Sequence, residues 1–269
     1  MTDPRARVRL TGVVVAKDEA GRIEACLDAL SFCDERIVVL DAASSDGTAG
    51  ILEARDVRTV VRPFVNMNDQ KDFGRSIAEG TWVLNVDADE VVSDHLKAQV
   101  LDVLAQDPPH AAFRIPFRNH LRNVWIRRCG YYPDYHVRLV RRDRAHWDKA
   151  VPVHDRVVVE GTIGTLSGPI DHYSFESVAH FLKKSADYAE RFAIDAHARG
   201  RRAGLLTIGF HTAWRFFKTF VLRGGFLEGT LGLVISGLQA YEVFQKYVRL
   251  WERSRFSIST SISSEGRMS

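Results

Sequence analysis

The sequence predicts an α/β protein whose core is a parallel β-sheet covered by helices on both faces. Two patterns in the first hundred residues support this class: hydrophobic runs typical of strands alternate with stretches of helical periodicity, and the connections between them are short. Composition agrees, because 269 residues with 45% hydrophobic and 26% charged side chains suffice for one elaborated domain. Ligands of such sheets bind at the carboxyl ends of the strands, where we therefore expect the chemistry.

Four strands and three helices are predicted in this first part of the chain. Runs rich in β-branched and aliphatic residues are typical of buried strands, and they cover residues 8–16, 36–40, 57–62 and 82–86. Helical spacing and turn residues predict helices over residues 23–30, 48–55 and 69–79, the second following a turn at 46–48. Gly80 ends the third helix.

The pattern changes after residue 110. Short runs of mixed polarity interrupted by prolines indicate hairpins and loops over residues 111–159. Residues 179–197 contain neither Gly nor Pro and have helical spacing, which predicts a helical C-terminal region. The Ser-rich residues 255–269 are typical of a loose tail.

Charge and cysteine content exclude several classes of protein. A formal net charge of +3 is too small for the whole chain to bind nucleic acid electrostatically. The three cysteines are an odd number at spacings that match no zinc motif, which argues against a disulfide framework and favours a reducing compartment. The first ten residues lack the pattern of a secretory signal, so we expect a cytoplasmic protein.

The strongest local signal is the acidic segment 85–90, NVDADE, directly after the fourth predicted strand. Alternation along an extended chain places Asp87 and Asp89 on the same side, where their oxygens could hold a hard divalent ion and neutralise a diphosphate. The alternative is that these acids only end the strand and precede a helix capped near Ser93.

Two further polar clusters follow other predicted strands. In segment 41–48, DAASSDGT, Asp41 could accept hydrogen bonds from a nucleobase or ribose. The cluster Lys17-Asp18-Glu19 follows the first strand. Each could equally be a turn that begins a helix, but three such clusters at neighbouring strand ends favour a shared binding site.

Several linked motifs resemble those of a known family: AKDEAGRIEACLDAL, VVLDAASSDGT, QKDFGRSIAEGTWVLNVDADE, GYYPDYHVRLVRRDRAHWDKAVPVHD and DHYSF. They are similar to family 2 glycosyltransferases of the GT-A fold, and more narrowly to bacterial lipopolysaccharide core-type glucosyltransferases, over residues 9–252. The resemblance implies a GT-A domain over residues 1–176, with a donor half at about 8–110 and an acceptor half at 111–176. A helical extension at 177–254 and the tail at 255–269 would follow.

The resemblance also implies roles for individual residues. Asp41 would contact uridine, Lys71 would lie near the nucleotide, and Asp87 and Asp89 would be the DxD motif that meets ribose and a diphosphate bound to Mg²⁺ or Mn²⁺. Asp18 and Glu19 would complete the substrate-binding set. The family commonly has Asn at the positions of Asp18 and Asp72, so the extra negative charges need partners, for which Lys17 and Lys71 are candidates.

Sugar transfer with inversion needs a base that takes the proton of the acceptor hydroxyl. Our candidate is Asp155, because the resembling family often has His-Glu where this chain has His154-Asp155, and His154 could then reach the metal or the diphosphate. The alternative is a solvated loop pair. Three other aspartates are rival bases: Asp134, Asp148 and Asp171.

Two basic regions suggest partners. Ten arginines beside aromatic residues over residues 114–156 suit an anionic glycan acceptor, a nucleic-acid groove or a solvated face with salt bridges. Residues 199–253 carry nine Lys or Arg against three Glu, a net charge of +6, interleaved with aromatics. This suits helices lying in an anionic membrane surface, or a helical cap that packs on the sheet domain or in a homo-oligomer. The uncharged runs 203–214 and 229–241 are too short to cross a bilayer as single helices.

The function that these observations favour is a metal-dependent inverting transfer of a hexose, glucose from UDP-glucose, to a lipid-linked saccharide such as lipopolysaccharide core. The enzyme would act at the cytoplasmic face of the inner membrane. Alternatives are a nucleotidyltransferase and a non-catalytic, membrane-associated protein that binds nucleotide sugars. An RNA-binding role has the weakest support, and we expect no nucleic-acid partner.

Overall fold

The computed structural model describes residues 9–150 and 156–256, in which a mixed sheet of ten strands is the main feature. The strands, including a separate two-stranded sheet, are β1 Leu10–Ala16, β2 Glu35–Asp41, β3 Arg58–Arg62, β4 Trp82–Asp87, β5 Glu90–Val92, β6 Ala112–Leu121, β7 Val124–Trp125, β8 Asp134–Arg141, β9 Ala145–Trp147, β10 Val157–Val159, β11 Ile163–Thr165 and β12 Ile170–Phe175. The α-helices are α1 Ile23–Ala29, α2 Thr48–Glu53, α3 Met67–Ile77, α4 Asp94–Gln106, α5 Val178–Ala198, α6 Leu205–Phe217 and α7 Gly229–Phe256.

The first half of the sheet is parallel, as the sequence predicts. The strand order is β3-β2-β1-β4-β8-β6-β12-β5, and β1 runs parallel to both β2 and β4. In this register Ala16 of β1 is opposite Leu40, and Val15 is opposite Asp87. The carboxyl ends of β2, β1 and β4 therefore lie side by side at one edge.

The second half of the sheet is mostly antiparallel, although the short β11 runs parallel to its partner β6. β8 pairs with β4 and with β6 in antiparallel register, and β12 pairs with β5 in the same way. Of the strands within residues 111–159, where hairpins and loops are predicted, β6, β7 and β8 extend the same sheet, whereas β9 and β10 pair with each other in the separate two-stranded sheet. The predicted α/β class is confirmed, with a mixed sheet in place of a purely parallel one.

Local capping explains where the helices begin. α3 starts at Met67, two residues before the predicted start, because the Asn66 side chain accepts a hydrogen bond of 2.9 Å from the Asp69 N–H. Ser93 caps α4 by accepting from the Leu96 N–H at 3.2 Å, as expected from the sequence. α2 ends at Glu53, two residues before the predicted end.

Helices cover both faces of the parallel half, and successive residues of one strand show this. Val14 of β1 packs in a buried cluster with residues of α1 and α4, whereas Val13 packs in a second cluster beneath α3. α3 approaches closely because of Gly74. A Cβ atom at this position would lie 2.3 Å from Val13 Cγ1 and 3.2 Å from Val39 Cγ2.

The chain divides into two compact units. One comprises the described residues of Met1–Trp125 and Tyr131–Ser174, and the other those of Ile126–Gly130 and Phe175–Ser269. The hydrophobic pattern did not predict that residues 126–130 group with the helical unit. Most of the predicted tail at 255–269 lies outside the described residues.

The helical unit is built on α5 and α7. The Glu190 carboxylate of α5 accepts a hydrogen bond of 2.5 Å from Arg249 and pairs with Arg253, and the rings of Phe192 and Tyr247 meet edge to face at 5.6 Å. Among the described residues no single helix is long and apolar enough to cross a membrane. Leu205–Leu222 and Gly225–Phe256 meet that test only as a pair, bent by 64°.

The close approach of α3 generates a stability prediction. Gly74→Ala should have a free energy of unfolding about 1–3 kcal/mol lower than Gly50→Ala, because the new methyl group overlaps buried Val13. Gly50 lies in α2 with nothing within 4 Å of an added Cβ, so the gain in helix propensity is common to both variants. Urea unfolding monitored by circular dichroism measures both, and equal stabilities would contradict the packing argument.

Candidate active site

The loops after β1 and β2 are held together by hydrogen bonds. The Asp18 N–H donates to Ser44 Oγ at 3.0 Å, and the Ser45 N–H donates to Asp18 Oδ1 at 2.8 Å. The Glu19 N–H donates to Thr48 Oγ1 at 2.9 Å. Asp18 has a left-handed backbone, with φ of 53°, which turns the chain toward this contact. Asp18 and Glu19 therefore lie where the loops at the carboxyl ends of β1 and β2 are joined.

Asp41 is the last residue of β2. Its side chain is only 4% exposed and accepts a hydrogen bond of 3.0 Å from the Ala43 N–H. Lys17 Nζ lies 3.5 Å from Asp41 Oδ2. The strand end thus presents a carboxylate of fixed orientation whose charge is balanced by a half-exposed lysine.

A cluster of four charged side chains lies at the end of β4. Lys71 Nζ of α3 lies 3.0 Å from Asp87 Oδ1, and Arg138 Nη2 of β8 lies 3.0 Å from Asp87 Oδ2 and 2.7 Å from Glu90 Oε1. The Asp87 N–H donates to Glu90 Oε2 at 2.9 Å. Lys71, Arg138 and Glu90 are almost wholly buried, at 1%, 3% and 0% exposure.

This cluster sets the charge state of Asp87. Burial on its own would raise the pKa of Asp87, but Lys71 and Arg138 outweigh that effect and hold the pKa well below its usual range. Burial raises the pKa of Glu90 above its usual range, although Arg138 acts in the opposite direction. Asp87 is therefore the firmly ionised member, suited to accept hydrogen bonds from a ligand hydroxyl.

Asp89 faces a histidine from a distant strand. His172 Nε2 of β12 lies 3.3 Å from Asp89 Oδ2. The other ring nitrogen, Nδ1, lies 2.9 Å from Asn119 Oδ1, an oxygen that also accepts a hydrogen bond of 2.7 Å from Ser174 Oγ. These contacts fix the orientation of the ring and direct Nε2 toward Asp89.

The arrangement fits a divalent cation. Asp89, Glu90 and His172 each offer a ligand atom, and these atoms lie within 4.8 Å of one another. Both oxygens of Glu90 already accept hydrogen bonds, so Asp89 and His172 are the better ligands. A carboxylate oxygen and an imidazole lone pair that face each other repel unless a proton or a cation lies between them. Carboxylates suit Mg²⁺ and Mn²⁺, and the added imidazole favours a transition ion.

The match to a protein family covers more than half of the chain: the model of Glycosyl transferase family 2 matches residues 12–151. The chain belongs to glycosyl transferase family 2. It is a glycosyltransferase, and the family that its motifs resemble is confirmed.

Two curated relatives cover nearly the whole glycosyltransferase. An uncharacterized glycosyltransferase of Rickettsia bellii (strain RML369-C) is 28% identical over 256 residues, which is 91% of this chain and 87% of the relative. The lipopolysaccharide core biosynthesis glycosyltransferase LpsC of Rhizobium meliloti (strain 1021) is 24% identical over 259 residues, 90% of this chain and 94% of the relative. Among solved structures, the mannosyltransferase PcManGT from Pyrobaculum calidifontis in complex with GDP-Man and Mn²⁺ has a TM-score of 0.49 at 14% identity, covering 95% and 89% of the two chains.

Sequence reasoning missed three residues that the structure places beside Asp87 and Asp89: Glu90, Arg138 and His172. Glu90 stood in the acidic segment but had no assigned role. Arg138 interrupts the apolar run of β8 between Val137 and Leu139, and a lone cation in a buried strand indicates a buried acidic partner. His172 had no local signal of that kind, because its contact with Asp89 depends on how distant strands pair.

The partners of the two substituted aspartates differ from the sequence expectation. Asp18 instead accepts from Ser45, and Asp72 lies 2.9 Å from Arg75 and 3.0 Å from Lys149. Burial would raise the pKa of Asp72, but Lys149 and Arg75 lower it overall. These neighbouring donors and cations therefore stabilise the negative charges of Asp18 and Asp72 locally.

The candidate bases have different surroundings. His154 and Asp155 lie outside the described residues. Among the rivals, Asp171 is engaged by Arg118 at 2.5 Å, and Asp148 lies 3.6 Å from Arg156. Asp134 is about half exposed, and its hydrogen bond with His136, 3.1 Å from Oδ2 to Nε2, lowers its pKa. Asp134 is the rival that is most accessible to a substrate.

Two arginines of the predicted acceptor region lie over aromatic rings. The Arg118 guanidinium lies 5.6 Å from the Trp125 ring centroid, and that of Arg114 lies 5.1 Å from Tyr135. Such stacking leaves guanidinium edges available for polar contacts.

The buried cluster generates a prediction. Arg138→Met should lower the free energy of unfolding by about 3–5 kcal/mol, because it removes the cation shared by two carboxylates. Arg114→Met, at an exposed arginine bonded to Thr165, should cost less than about 1 kcal/mol in the same urea titration.

The acid dependence provides a second check on this prediction. The loss of unfolding free energy in Arg138→Met should become smaller as the pH falls. Burial raises the pKa of Glu90, and protonation of Glu90 removes the negative charge that the variant leaves unpaired. Equal losses for the Arg138 and Arg114 variants, or a deficit that grows toward acid pH, would contradict the role of Arg138.

Proposed function

We propose that this family 2 enzyme is a metal-dependent inverting hexosyltransferase that moves glucose from UDP-glucose to a lipid-linked saccharide such as lipopolysaccharide core. The observation that carries the proposal is the edge of the sheet where Asp87, held by Lys71 and Arg138, lies two residues from Asp89, which faces His172. An ionised hydrogen-bond acceptor beside a cation site suits a sugar nucleotide with its counterion.

The donor would lie across three strand ends. Neighbouring strands are about 4.8 Å apart, so the ends of β2 and β4 are separated by about 10 Å, a span that one nucleotide covers. Asp41 would accept hydrogen bonds from the uridine and Asp87 from the ribose. The joined loops that carry Asp18 and Glu19 would contact the base. Their mutual hydrogen bonds fix the loops before the donor arrives, which lowers the cost of binding.

Asp89 and His172 would hold Mn²⁺ or Mg²⁺. When bound, the ion stabilises negative charge on the leaving diphosphate. The protein's part is to orient the ligands: Asn119 and Ser174 hold the His172 ring through Nδ1, so Nε2 needs no reorganisation. Preorganised groups of this kind contribute more to catalysis than flexible ones do.

Inversion requires a base on the opposite side of the sugar from the diphosphate, and we assign this role to Asp155 with His154 as a neighbouring diphosphate or metal contact. The family resemblance supports this assignment. Asp134, accessible and beside His136, is the alternative. Asp155→Asn and Asp134→Asn should separate the two, since only the true base loses turnover while keeping its affinity for UDP.

Two observations support a lipid-linked acceptor at the cytoplasmic membrane face. The relative LpsC is named for lipopolysaccharide core biosynthesis. The helical unit combines a net charge of +6 over residues 199–253 with exposed apolar side chains such as Leu205, Leu206 and Phe210, at 84%, 87% and 66% exposure. Basic and apolar groups on one helix are typical of interfacial segments.

Turnover tests the proposal. Incubation with UDP-glucose, Mn²⁺ and a lipopolysaccharide core acceptor should release UDP, and Asp89→Ala should lower kcat at least about 100-fold, because an ion that stabilises the leaving group contributes several kcal/mol. Asp94→Ala, at an exposed aspartate in the first turn of α4, should retain kcat within about twofold.

Different results would contradict the metal role, the identity of the donor and the type of transfer. Full activity of Asp89→Ala, or activity that persists in EDTA, would contradict the metal role. Absence of UDP release with UDP-glucose but release of another nucleotide from its sugar conjugate would reassign the donor. Pyrophosphate release from a nucleoside triphosphate and a sugar phosphate would instead favour nucleotidyl transfer.

A further inference from the structure

The helical unit contains a cavity of about 240 Å³ between α5, α6 and α7. One wall is aromatic: the rings of His211 and Tyr247 stack at 4.4 Å with an interplanar angle of 11°, and Phe192 meets Tyr247 edge to face. Trp214 also lines the cavity and is 46% exposed. These stacked rings form an apolar wall whose members restrict one another.

The other wall is cationic. Arg215, Lys218 and Lys246 line the cavity, and none of the described residues that line it is acidic. Lys246 is balanced by Glu242 at 2.5 Å, whereas the described residues contain no acidic partner for Arg215 or Lys218. Two positive charges are therefore available to an anion at the mouth of an aromatic cavity.

The helix that carries Arg215 is itself unusual. None of the thirteen residues of α6 is buried, although most of them are apolar. Within α6, Leu205, Leu206 and Phe210 are 84%, 87% and 66% exposed, and Phe217, the neighbour of the cavity-lining Lys218, is 45% exposed. An apolar helix without a buried face in a water-soluble setting leaves a large hydrophobic area in contact with water.

The size of the cavity limits its occupant. A water molecule takes about 30 Å³ in the liquid, so 240 Å³ holds roughly eight waters. That volume suits a phosphate ester with its glycerol, and it is below the range of about 300–1,000 Å³ typical of sites for larger ligands. An apolar tail longer than this would have to leave the cavity.

We propose that this cavity binds the phosphate headgroup of an anionic phospholipid, with Arg215 and Lys218 at the phosphate and the acyl chains along the exposed apolar side of α6. Charge complementarity selects the anion, and the adjacent apolar helix selects a ligand that carries hydrocarbon. The inference rests on the proposed association with an anionic membrane, but it is independent of the sugar donor and of the transfer chemistry.

Titration calorimetry of the full chain with monomeric dihexanoylphosphatidylglycerol tests the site. We expect saturable binding of one lipid per chain, and a loss on the order of 20-fold in Arg215→Gln/Lys218→Gln, because each cation beside a lipid headgroup contributes a factor of about five. The matched control Arg201→Gln/Arg202→Gln removes the same charge from two exposed arginines outside the cavity and should bind within about twofold of wild type.

Two further probes distinguish the ligand. Dihexanoylphosphatidylcholine tests the need for net negative charge, and inorganic phosphate tests the need for the apolar tail; both should bind at least about tenfold more weakly. Phosphate binding as tight as that of the anionic lipid would overturn the proposal in favour of a free-phosphate site. Equal losses in the two double variants would overturn it in favour of diffuse surface charge.

Co-sedimentation with vesicles separates this inference from the proposed function. Wild type should bind phosphatidylcholine vesicles that contain phosphatidylglycerol, and the Arg215/Lys218 variant should bind them more weakly than the Arg201/Arg202 variant. Vesicle binding without saturable binding of the short-chain lipid overturns the cavity but keeps membrane association. Failure to bind either lipid form, with UDP release from UDP-glucose intact, overturns both lipid claims and leaves sugar transfer standing.

Discussion

The candidate active site depends on charge balance in one buried cluster, which consists of Lys71, Arg138, Asp87 and Glu90. Transfer of a single ionised side chain into the protein interior costs several kcal/mol, so none of the three buried members is stable there alone. The two cations, placed beside both carboxyl groups, offset part of that penalty. Since the four residues come from α3, β8, β4 and β5, the cluster also ties the parallel half of the sheet to the antiparallel half.

That balance has a functional consequence. Asp87 remains ionised because two cations lower its pKa, and its orientation is set by contacts to both of its oxygens. His172 is oriented in the same manner through Asn119. Both groups are held before any ligand arrives, and a site that needs no reorganisation loses less free energy on binding and in the transition state. The metal and nucleotide roles that we propose follow from this rigidity.

The helical unit follows a different physical rule. The central strands β1, β2 and β4 bury all of their large apolar residues, whereas none of the thirteen residues of α6 is buried. Exposed apolar area beside unpaired cations is unfavourable in water and favourable at an anionic lipid interface. A glycosyltransferase whose donor is soluble and whose acceptor is lipid-linked needs both kinds of surface, which gives one physical rationale for the two units of this chain.

The sequence alone determined the local features: the alternation of strands and helices, and the polar clusters at the ends of β1, β2 and β4. These follow from hydrophobic periodicity and from short-range hydrogen bonds. Tertiary structure decided the pairing of β8 with β4 and of β12 with β5, and with it the contacts of Arg138 and His172. Such contacts depend on strand register across tens of residues, which no local pattern encodes.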